Sequence, residues 1–281
     1  MTLPAILVEP LIRAALAEDL GRAGDLTTEL TIPPGTRARA LLRVRRPGRI
    51  AGLDASLLAF RLLGPRLAIE IGVPDGADAA PGDTIAVIDG DARASLAAER
   101  TALNLLTRLC GIATATREAV ARVAGTRARI ACTRKTTPGL RALEKHAVRM
   151  GGGMNHRFGL DDGVLIKDNH IVAAGGILAA VDRARAGIGH MVKLEVEVDT
   201  LDQLQLVLTR KVDAVLLDNM APPTLREAVA LVAGRCLTEA SGGIRPETLP
   251  EIAATGVDII SLGWLTHSVP GLDIGLDLEP L

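Results

Sequence analysis

The chain has 281 residues, a formal net charge of −1 at pH 7 and a hydrophobic fraction of 48%. This length permits one large domain or two smaller ones with a substantial core. The near-zero net charge argues against a global field that would attract nucleic acid or a membrane. Two Phe, one Trp and no Tyr are too few aromatic residues for the stacking platforms of proteins that bind single-stranded nucleic acid.

The three cysteines, Cys110, Cys132 and Cys236, are an odd number without CxxC spacing. We therefore expect free thiols in a reducing compartment and no disulfide framework. The N-terminus lacks a basic region followed by an apolar run, and no long uncharged apolar window occurs in the sequence. These features predict a cytoplasmic protein.

The first hundred residues mix helices and strands without a regular alternation. Helices are predicted for residues 8–20, 50–63 and 95–110, strands for 38–44, 68–73 and 84–89, and turns for 25–28 and 32–35. This pattern is typical of a separate α+β domain. Glu99 and Arg100 lie beside the apolar stripe of the third helix, and a solvated surface ion pair is the simplest interpretation of them.

From residue 129 onward, apolar strands alternate with helices. The predicted strands are residues 129–133, 164–167, 191–198, 214–218, 237–241 and 258–263, and the predicted helices are 140–150, 177–186, 201–209, 223–233 and 246–254. Such alternation predicts a parallel sheet, and near-continuous apolar strands favour a closed or nearly closed α/β barrel. A doubly wound open sheet is the alternative, although no GxGxxG follows a first strand.

Polar residues fall at or just past the ends of these strands, namely Lys135, Lys167, Glu197, Asp218, Ser241 and Gly263. In a barrel, the carboxyl ends of the strands converge on one mouth, where active sites form. A structural ion pair can explain one buried charge, but four charges on successive strands would cost several kcal/mol each if unpaired. We therefore predict a functional site at these strand ends.

The residue types indicate a site for a polyanion. Only five of the 32 basic residues are lysines, and two of them, Lys135 and Lys167, lie at strand ends. Lysines on phosphate oxygens and carboxylates on a metal or on sugar hydroxyls would suit a magnesium-bound polyphosphate. The Ser241–Ile244 segment offers backbone N–H groups to a terminal phosphate, with a plain tight turn as the alternative.

Arg134, His156 and Arg157 add positive charge beyond the needs of one polyphosphate. Planar guanidinium groups suit carboxylates, so a second substrate that carries carboxylates is predicted. For His156, a buried histidine with a purely structural role is the alternative.

Eight segments in a fixed order carry a wider similarity: residues 18–28, 99–104, 133–139, 155–159, 165–170, 195–199, 216–219 and 240–244. Together they resemble the quinolinate phosphoribosyltransferase family from about residue 10 to residue 275. The resemblance implies an α/β fold with an N-terminal α/β sandwich domain (residues 1–110), an incomplete, seven-stranded TIM-like α/β barrel (111–268) and a C-terminal segment (269–281) that returns to the first domain.

The resemblance also implies an activity. Such enzymes transfer the phosphoribosyl group of phosphoribosyl pyrophosphate to quinolinate with Mg²⁺, release pyrophosphate and CO₂, and form nicotinate mononucleotide for NAD synthesis. The expected assembly is a homodimer with shared active sites, or a higher oligomer, and neither nucleic acid nor a membrane is an expected partner.

Site roles follow from the resemblance residue by residue. Arg100, Arg134, His156 and Arg157 are expected to hold the quinolinate carboxylates, while Lys135 and Lys167 neutralise carboxylate and pyrophosphate. Glu197 and Asp218 are expected to meet ribose hydroxyls and, indirectly, the metal. The 5′-phosphate is assigned to Ser241, Gly243, Gly263 and His267, and the substrate-binding set is completed by Thr133, Gly242 and Leu262.

One position departs from the family pattern, because Cys132 stands where an Asp usually precedes Thr133. Three alternatives stay open at this point. One is a molybdenum-transport-associated relative of the same family, in which departures near Asn155 and Lys167 would be expected. The second is a Schiff-base aldolase that uses Lys167 or Lys193, and the third is a phosphate-binding barrel without turnover.

Overall fold

The computed structural model describes residues 3–281. Its strands are β1 (Arg37–Val44), β2 (Gly48–Arg49), β3 (Ala68–Ile71), β4 (Asp78–Ala79), β5 (Thr84–Asp91), β6 (Arg129–Ala131), β7 (Val164–Ile166), β8 (Leu194–Val198), β9 (Ala214–Asp218), β10 (Leu237–Ser241), β11 (Ile259–Ser261) and β12 (Ile274–Pro280). Its α-helices are α1 (Ala5–Leu20), α2 (Leu26–Thr31), α3 (Leu53–Leu63), α4 (Ala92–Arg122), α5 (Arg141–Met150), α6 (Asp168–Ala174), α7 (Ile177–Gly187), α8 (Leu201–Val207), α9 (Pro222–Val232), α10 (Leu249–Ala253) and α11 (Trp264–His267).

Two compact units divide the chain. Unit 1 contains residues 3–117, 136–152 and 266–281, and unit 2 contains residues 118–135 and 153–265. The domain limits predicted from the sequence, at residues 110 and 268, stay predictions. Residue 110 lies inside α4, so that limit does not coincide with an end of a helix.

Unit 1 contains an antiparallel sheet in the order β12-β1-β5-β3. The last strand of the chain pairs with β1 along its length, from Ala38 opposite Pro280 to Val44 opposite Ile274. Helices α1 and α3 each bury one apolar face. On α1 the buried residues Val8, Ile12 and Leu16 recur at helical spacing, so they lie on the same side of the helix. Unit 1 therefore combines this four-stranded sheet with helices and with a second, two-stranded antiparallel sheet of β2 and β4.

Unit 2 contains a parallel sheet in the order β6-β11-β10-β9-β8-β7. Its strands are short, apolar and mostly buried, and four of them, β7 to β10, are each followed by helices of the same unit. The predicted α/β architecture, one sheet domain followed by a parallel α/β domain, is confirmed. The ladder has six strands where the resemblance implies seven, and beyond it the described residues add one isolated parallel bridge, Ala131 to Met154.

Two predicted elements of unit 1 differ from the structure. Residues 25–28 are not a turn but the start of α2, whose first backbone N–H groups are capped by Asp25, with Thr28 N–H 3.0 Å from Asp25 Oδ1. The helix predicted to end at residue 110 continues to Arg122. Gly111 lies within the helix and does not end it. The glycine allows the backbone of Pro270 to pack closely against the helix, because a Cβ at position 111 would overlap Pro270 O.

All three cysteines are free, as predicted, with Cys110 and Cys132 buried. Across residues 3–281, none of the helices combines the length and the apolar character needed to cross a membrane.

Candidate active site

The polar strand ends of unit 2 share one face of its sheet. Side chains alternate along a strand, so Glu195 and Glu197 point to the same face of β8. The parallel register places Glu197 opposite Leu216 and Asp218 opposite Ser241. The face that carries the two glutamates of β8 therefore ends in Asp218 on β9 and Ser241 on β10, as the sequence predicted for the strand ends.

Lys167 and Glu197 form an ion pair across the adjacent strands β7 and β8. Lys167 directly follows β7 and is the N-cap residue of α6, and its ammonium group donates to Glu197 Oε2. The Lys167 side chain is 45% exposed whereas that of Glu197 is only 11% exposed. A pair with one partner so exposed stabilises the fold by about 1 kcal/mol or less, so the ammonium remains accessible to an anion at small cost.

The turns after β9 and β10 are packed against each other. Asn219 has a left-handed backbone with φ +53°, its N–H donates to Ser241 O at 2.9 Å, and its Nδ2 donates to Asp218 Oδ2 at 2.6 Å. A Cβ on Gly242, which has φ +92°, would overlap the Asn219 amide. A non-glycine residue held in a left-handed conformation is strained, and such strain is often found at functional sites.

The residues predicted to bind phosphate differ in burial and in whether their backbone N–H groups already form hydrogen bonds. Ser241 is half-buried at the end of β10, and Gly242 and Gly243 follow it with positive φ angles. Leu262, in contrast, is 1% exposed and its N–H donates to Ala131 O at 2.9 Å, so that N–H already serves the sheet. The predicted role of Leu262 and Gly263 in binding substrate stays a prediction.

Two guanidinium groups approach each other in unit 2. Burial, and then the positive charge of Arg134, lower the pKa of Arg157 below its ordinary value. Arg157 Nη1 donates to Gly163 O at 3.0 Å, which fixes one side of its guanidinium. Two cations that disfavour each other's charge are typical of a site that receives an anion, because an anion relieves their repulsion.

The loop after β6 begins with Thr133, whose Oγ1 accepts the N–H of Lys135 at 3.0 Å. Just before it, the buried thiol of Cys132 donates to Asn155 Oδ1 at 3.4 Å, and the Cys132 N–H donates to Met154 O at 3.1 Å. An Asp at position 132 would instead accept from the Asn155 NH₂ group after a turn of the amide. Cys132 therefore offers Asn155 a hydrogen-bond donor, whereas a carboxylate at this position would offer an acceptor.

His156 lies beside two acidic residues to which the sequence analysis assigned no role. His156 Nε2 is 2.9 Å from Glu195 Oε2 and 3.6 Å from Glu239 Oε2. The three side chains each bring a ligating atom within 4.8 Å of the others. Alternation along β8 and β10 would have placed both glutamates on the face of Glu197 and Ser241, and this is the signal that could have identified them.

These three side chains, here called the His156 cluster, border a cavity of about 210 Å³. The cavity is also lined by Arg157, Lys193 and apolar residues that include Met154 and Ile259. Lys193, the alternative Schiff-base residue, donates to Asp213 Oδ1 at 3.0 Å and its side chain is 82% exposed. A lysine so exposed does not lie in the apolar pocket that a Schiff-base lysine requires.

Arg100 and His267 belong to unit 1. Arg100 lies on α4 with its side chain 64% exposed and its Nη2 3.9 Å from Glu99 Oε1, which agrees with the simple surface-pair interpretation. His267 ends α11, is exposed, and has its Nδ1 2.6 Å from Ser268 Oγ. Their predicted contacts with substrate stay predictions.

An ion pair in unit 1 between the partly exposed Arg108 and the buried Glu144 holds the segment that follows Lys135. Glu144 is fully buried; its Oε1 accepts from Arg108 Nε at 2.8 Å and its Oε2 accepts the Thr137 N–H at 3.1 Å. Arg108 Nη2 also donates to Thr137 Oγ1 at 2.8 Å and to Thr266 O at 2.7 Å. Neither charge could be identified from the sequence, since charged residues on amphipathic helices usually lie at the surface.

Comparisons with known proteins agree over nearly the whole length of the chain. The C-terminal and N-terminal domain models of quinolinate phosphoribosyl transferase match residues 112–277 and 25–110. The nicotinate-nucleotide pyrophosphorylase (carboxylating) of Mycobacterium leprae is 46% identical over 276 residues, with 95% of each chain covered. The quinolinate phosphoribosyltransferase (decarboxylating) 2b of Nicotiana tabacum, a mitochondrial protein, is 40% identical over 294 residues, which cover 98% of this chain and 83% of that one.

Structural similarity gives the same result. The crystal structure of NadC from Streptococcus pyogenes superposes with a TM-score of 0.96 at 36% identity, covering 100% of this chain and 99% of that one. Both domain models of one family together cover most of the sequence, in the order found in that family. The chain therefore belongs to the quinolinate phosphoribosyl transferase family.

Proposed function

We propose that this protein transfers the phosphoribosyl group of phosphoribosyl pyrophosphate to quinolinate, with decarboxylation, in NAD biosynthesis. The products are nicotinate mononucleotide, CO₂ and pyrophosphate. The observation that carries the proposal is the set of charged groups in unit 2. The Lys167–Glu197 pair and Asp218 lie at the carboxyl ends of strands, and the Arg134 and Arg157 guanidinium groups lie near each other. Cations for a dicarboxylate and a polyphosphate thus occur in the same unit as two carboxylates suited to ribose.

Quinolinate carries two carboxylates, and guanidinium groups bind carboxylates with two parallel hydrogen bonds. Arg134 and Arg157 are the groups proposed to bind them in unit 2, and Arg100 is proposed to add a third guanidinium from a partner subunit. Burial, and then the charge of Arg134, lower the pKa of Arg157, which supports this role because a bound dianion would favour the charged form of the guanidinium.

Phosphoribosyl pyrophosphate is proposed to bind along the other strand ends. Lys135 and Lys167 neutralise pyrophosphate oxygens, and the turn of Ser241, Gly242 and Gly243 receives the 5′-phosphate with Gly263 and His267. The absence of side chains at two successive positions lets a phosphate approach the backbone closely. Glu197 and Asp218 accept hydrogen bonds from ribose hydroxyls.

The donor set also fits Mg²⁺. Glu197 and Asp218 offer hard carboxylate oxygens, and Mg²⁺ is usually bound by one or two carboxylates together with substrate phosphates and water. Among residues 3–281, neither belongs to a group of three clustered protein ligands, which favours a metal that arrives with the pyrophosphate. When bound, the metal would supply neutralisation of the leaving group's charge.

The residues then perform the reaction by orientation and electrostatics. The pyridine nitrogen forms a bond to ribose C1 while the C1–O bond to pyrophosphate breaks, and Glu197 and Asp218 stabilise the positive charge that develops on the ribose. Lys135 and Lys167 stabilise the departing pyrophosphate. The cationic ring nitrogen then allows the C2–carboxylate bond to break as CO₂ leaves, because it stabilises the electron pair on C2 until a proton is added there.

The assembly is proposed to be a homodimer in which the N-terminal domain of one subunit contributes to the site of the other, in the cytoplasm. The molybdenum-transport and non-catalytic alternatives are not favoured by the names of the relatives. The same names do not favour the Schiff-base alternative.

The test is product formation from purified protein with quinolinate, phosphoribosyl pyrophosphate and Mg²⁺, followed by chromatography of the nucleotide product. Omission of each component in turn provides the controls. A further arm replaces quinolinate by nicotinate, which has one carboxylate fewer. We expect nicotinate mononucleotide in the reaction with quinolinate and not in the reaction with nicotinate. Equal turnover of nicotinate would contradict a site built for two carboxylates.

A further inference from the structure

The His156 cluster contains more buried negative charge than one imidazole can satisfy. Glu239 is 2% exposed and Glu195 is 9% exposed. Oε1 of each glutamate is buried and has no hydrogen-bond partner among residues 3–281, although the Ser261 hydroxyl faces Glu239. Burying an unpaired carboxylate costs several kcal/mol, so the two acidic side chains require an explanation beyond packing.

Both ring nitrogens of His156 are engaged within unit 2. The Arg157 N–H donates to Nδ1 at 2.8 Å, which leaves Nδ1 as an acceptor without a proton. In a neutral imidazole the proton is then on Nε2, from which Glu195 Oε2 lies 2.9 Å away. His156 therefore connects a buried carboxylate to the main chain of Arg157.

One N–H group cannot serve two carboxylates. Glu195 is within hydrogen-bonding distance of Nε2, whereas Glu239 Oε2 at 3.6 Å is not. The oxygens of the two glutamates lie within 4.8 Å, a separation at which one carboxyl of a pair keeps its proton. Burial, and then the negative charge of Glu195, raise the pKa of Glu239 to about 7, which agrees with this assignment.

We propose that Glu195 and Glu239 are positioning residues of the quinolinate site: protonated Glu239 donates to Glu195, Glu195 fixes the His156 ring, and His156 fixes the Arg157 main chain. The inference rests on the proposed function, and it deepens that function by changing the role of His156. Both nitrogens of the ring are used inside the protein, so His156 orients Arg157 instead of offering an N–H to a quinolinate carboxylate.

Two isosteric substitutions separate the roles of the glutamates. In Glu239→Gln the amide NH₂ donates to Glu195 without a titratable proton, so we expect the KM for quinolinate to change by less than about threefold. In Glu195→Gln the side chain loses its charge, and its NH₂ group faces one of the two donors, His156 or protonated Glu239. We therefore expect the KM for quinolinate to rise by about tenfold or more. The KM for phosphoribosyl pyrophosphate should stay within about twofold in both variants, which a loss of general structure would not permit.

The experiment measures both KM values for the wild type and the two variants, with Glu247→Gln on an exposed glutamate as the control. Quinolinate binding is also measured by calorimetry. The ¹⁵N spectrum of His156 in the wild type reports the tautomer directly, and it keeps the test decisive if Glu195→Gln does not fold. A protonated Nε2 with an unprotonated Nδ1 is expected, and the opposite tautomer or an imidazolium would overturn the proposal.

Other results would overturn it as well. An unchanged quinolinate KM in Glu195→Gln, or equal rises in both variants, would refute the assigned roles. One equivalent of a divalent metal in the purified protein that is lost in Glu239→Gln would make the trio a metal site instead. A wild type that neither binds nor converts quinolinate would refute the proposed function together with the inference, whereas an active wild type with indifferent variants would refute the inference alone.

Discussion

Gly242 and Asn219 pack against each other so closely that a Cβ on Gly242 would overlap the Asn219 side-chain amide. That amide also donates to Asp218. The turn proposed to bind phosphate and the carboxylate proposed to face ribose are thus linked through one side chain. A change in either turn should be transmitted to the other.

Gly242→Ala should therefore raise the KM for phosphoribosyl pyrophosphate by at least about tenfold. The matched control is Gly256→Ala, because Gly256 has nearly the same φ, +90° against +92°, while its nearest neighbour lies at an ordinary 3.5 Å. Both variants pay the backbone cost of a non-glycine residue at positive φ, roughly 1–2 kcal/mol. Steady-state kinetics should show a changed KM in Gly242→Ala only, and equal KM values in the two variants would refute the overlap as the cause.

Asp218→Ala should lower turnover far more than it weakens quinolinate binding. The proposed role of Asp218 is to stabilise charge that develops on the ribose, and an interaction made mainly in the transition state appears in kcat. We expect kcat to fall by about 100-fold while the quinolinate Kd stays within about threefold of wild type. The control is Asp202→Ala, at an exposed position of α8, which should change neither value. Unchanged turnover with weak quinolinate binding would place Asp218 in the carboxylate pocket instead.

Cys132→Asp should change turnover by about tenfold or less. The residue is buried and its thiol contacts Asn155, so the substitution exchanges donor and acceptor in a hydrogen bond that does not require ligand. Cys132→Ser, which keeps a donor of similar size, serves as the control. A thousandfold increase in kcat/KM on Cys132→Asp would show that the cysteine disables the natural protein.

Glu239 should make stability depend on pH in a defined window. The raised pKa means that the folded state holds this proton up to about pH 7, whereas the unfolded chain releases it near 4.5. Between these values the folded state binds more protons, so its free energy of unfolding falls as pH rises. Glu239→Gln removes this proton, so its stability relative to wild type should increase between pH 4.5 and 7, by about 3 kcal/mol.

Urea unfolding of both proteins at pH 5 and pH 8 measures this difference. The charged and polar groups that face Glu239 are Glu195, His156 and Ser261, and all are unchanged in the variant. A stability difference that is the same at the two pH values would contradict a protonated Glu239.

Arg100 should act across the dimer interface. Arg100→Ala and Lys135→Ala are each expected to be nearly inactive, and a mixed dimer would contain one site with both defects and one site with neither. Random association makes about half of the dimers mixed, so refolding the two variants together should restore roughly a quarter of wild-type activity. Mixed dimers without activity would show that Arg100 acts within its own chain or has no role.

Much of the fold was predictable because its strands are short apolar runs between helices. The β9 and β10 bounds agree with the prediction to the residue. The end of α4 was not predictable, since a glycine such as Gly111 often follows the last residue of a helix. The reason for a glycine at this position, the close contact with Pro270, is visible only in the structure. Helix α2 was missed because six residues provide too little periodicity, although Asp25 is a typical N-cap.

Some features of the candidate site could likewise be predicted from the sequence, and others could not. The positions of Glu197 and Asp218 at strand ends could be predicted from the sequence, and their roles stay predictions. Strand alternation could have placed Glu239 on the same face as Ser241. Its partners could not be predicted, because a lone glutamate in a strand does not reveal whether it meets solvent, a cation or another carboxylate. The Arg108–Glu144 pair was hidden for a related reason, since its partners lie 36 positions apart on separate helices.

The most direct test of the proposed function is the ratio of CO₂ to pyrophosphate released by the wild-type protein. Quinolinate labelled in its 2-carboxylate is incubated with phosphoribosyl pyrophosphate and Mg²⁺, and both products are counted in the same samples over time. We predict equal amounts of the two products, and none of either when one substrate is omitted. Release of CO₂ without phosphoribosyl pyrophosphate, or of pyrophosphate without CO₂, would contradict a decarboxylating phosphoribosyl transfer.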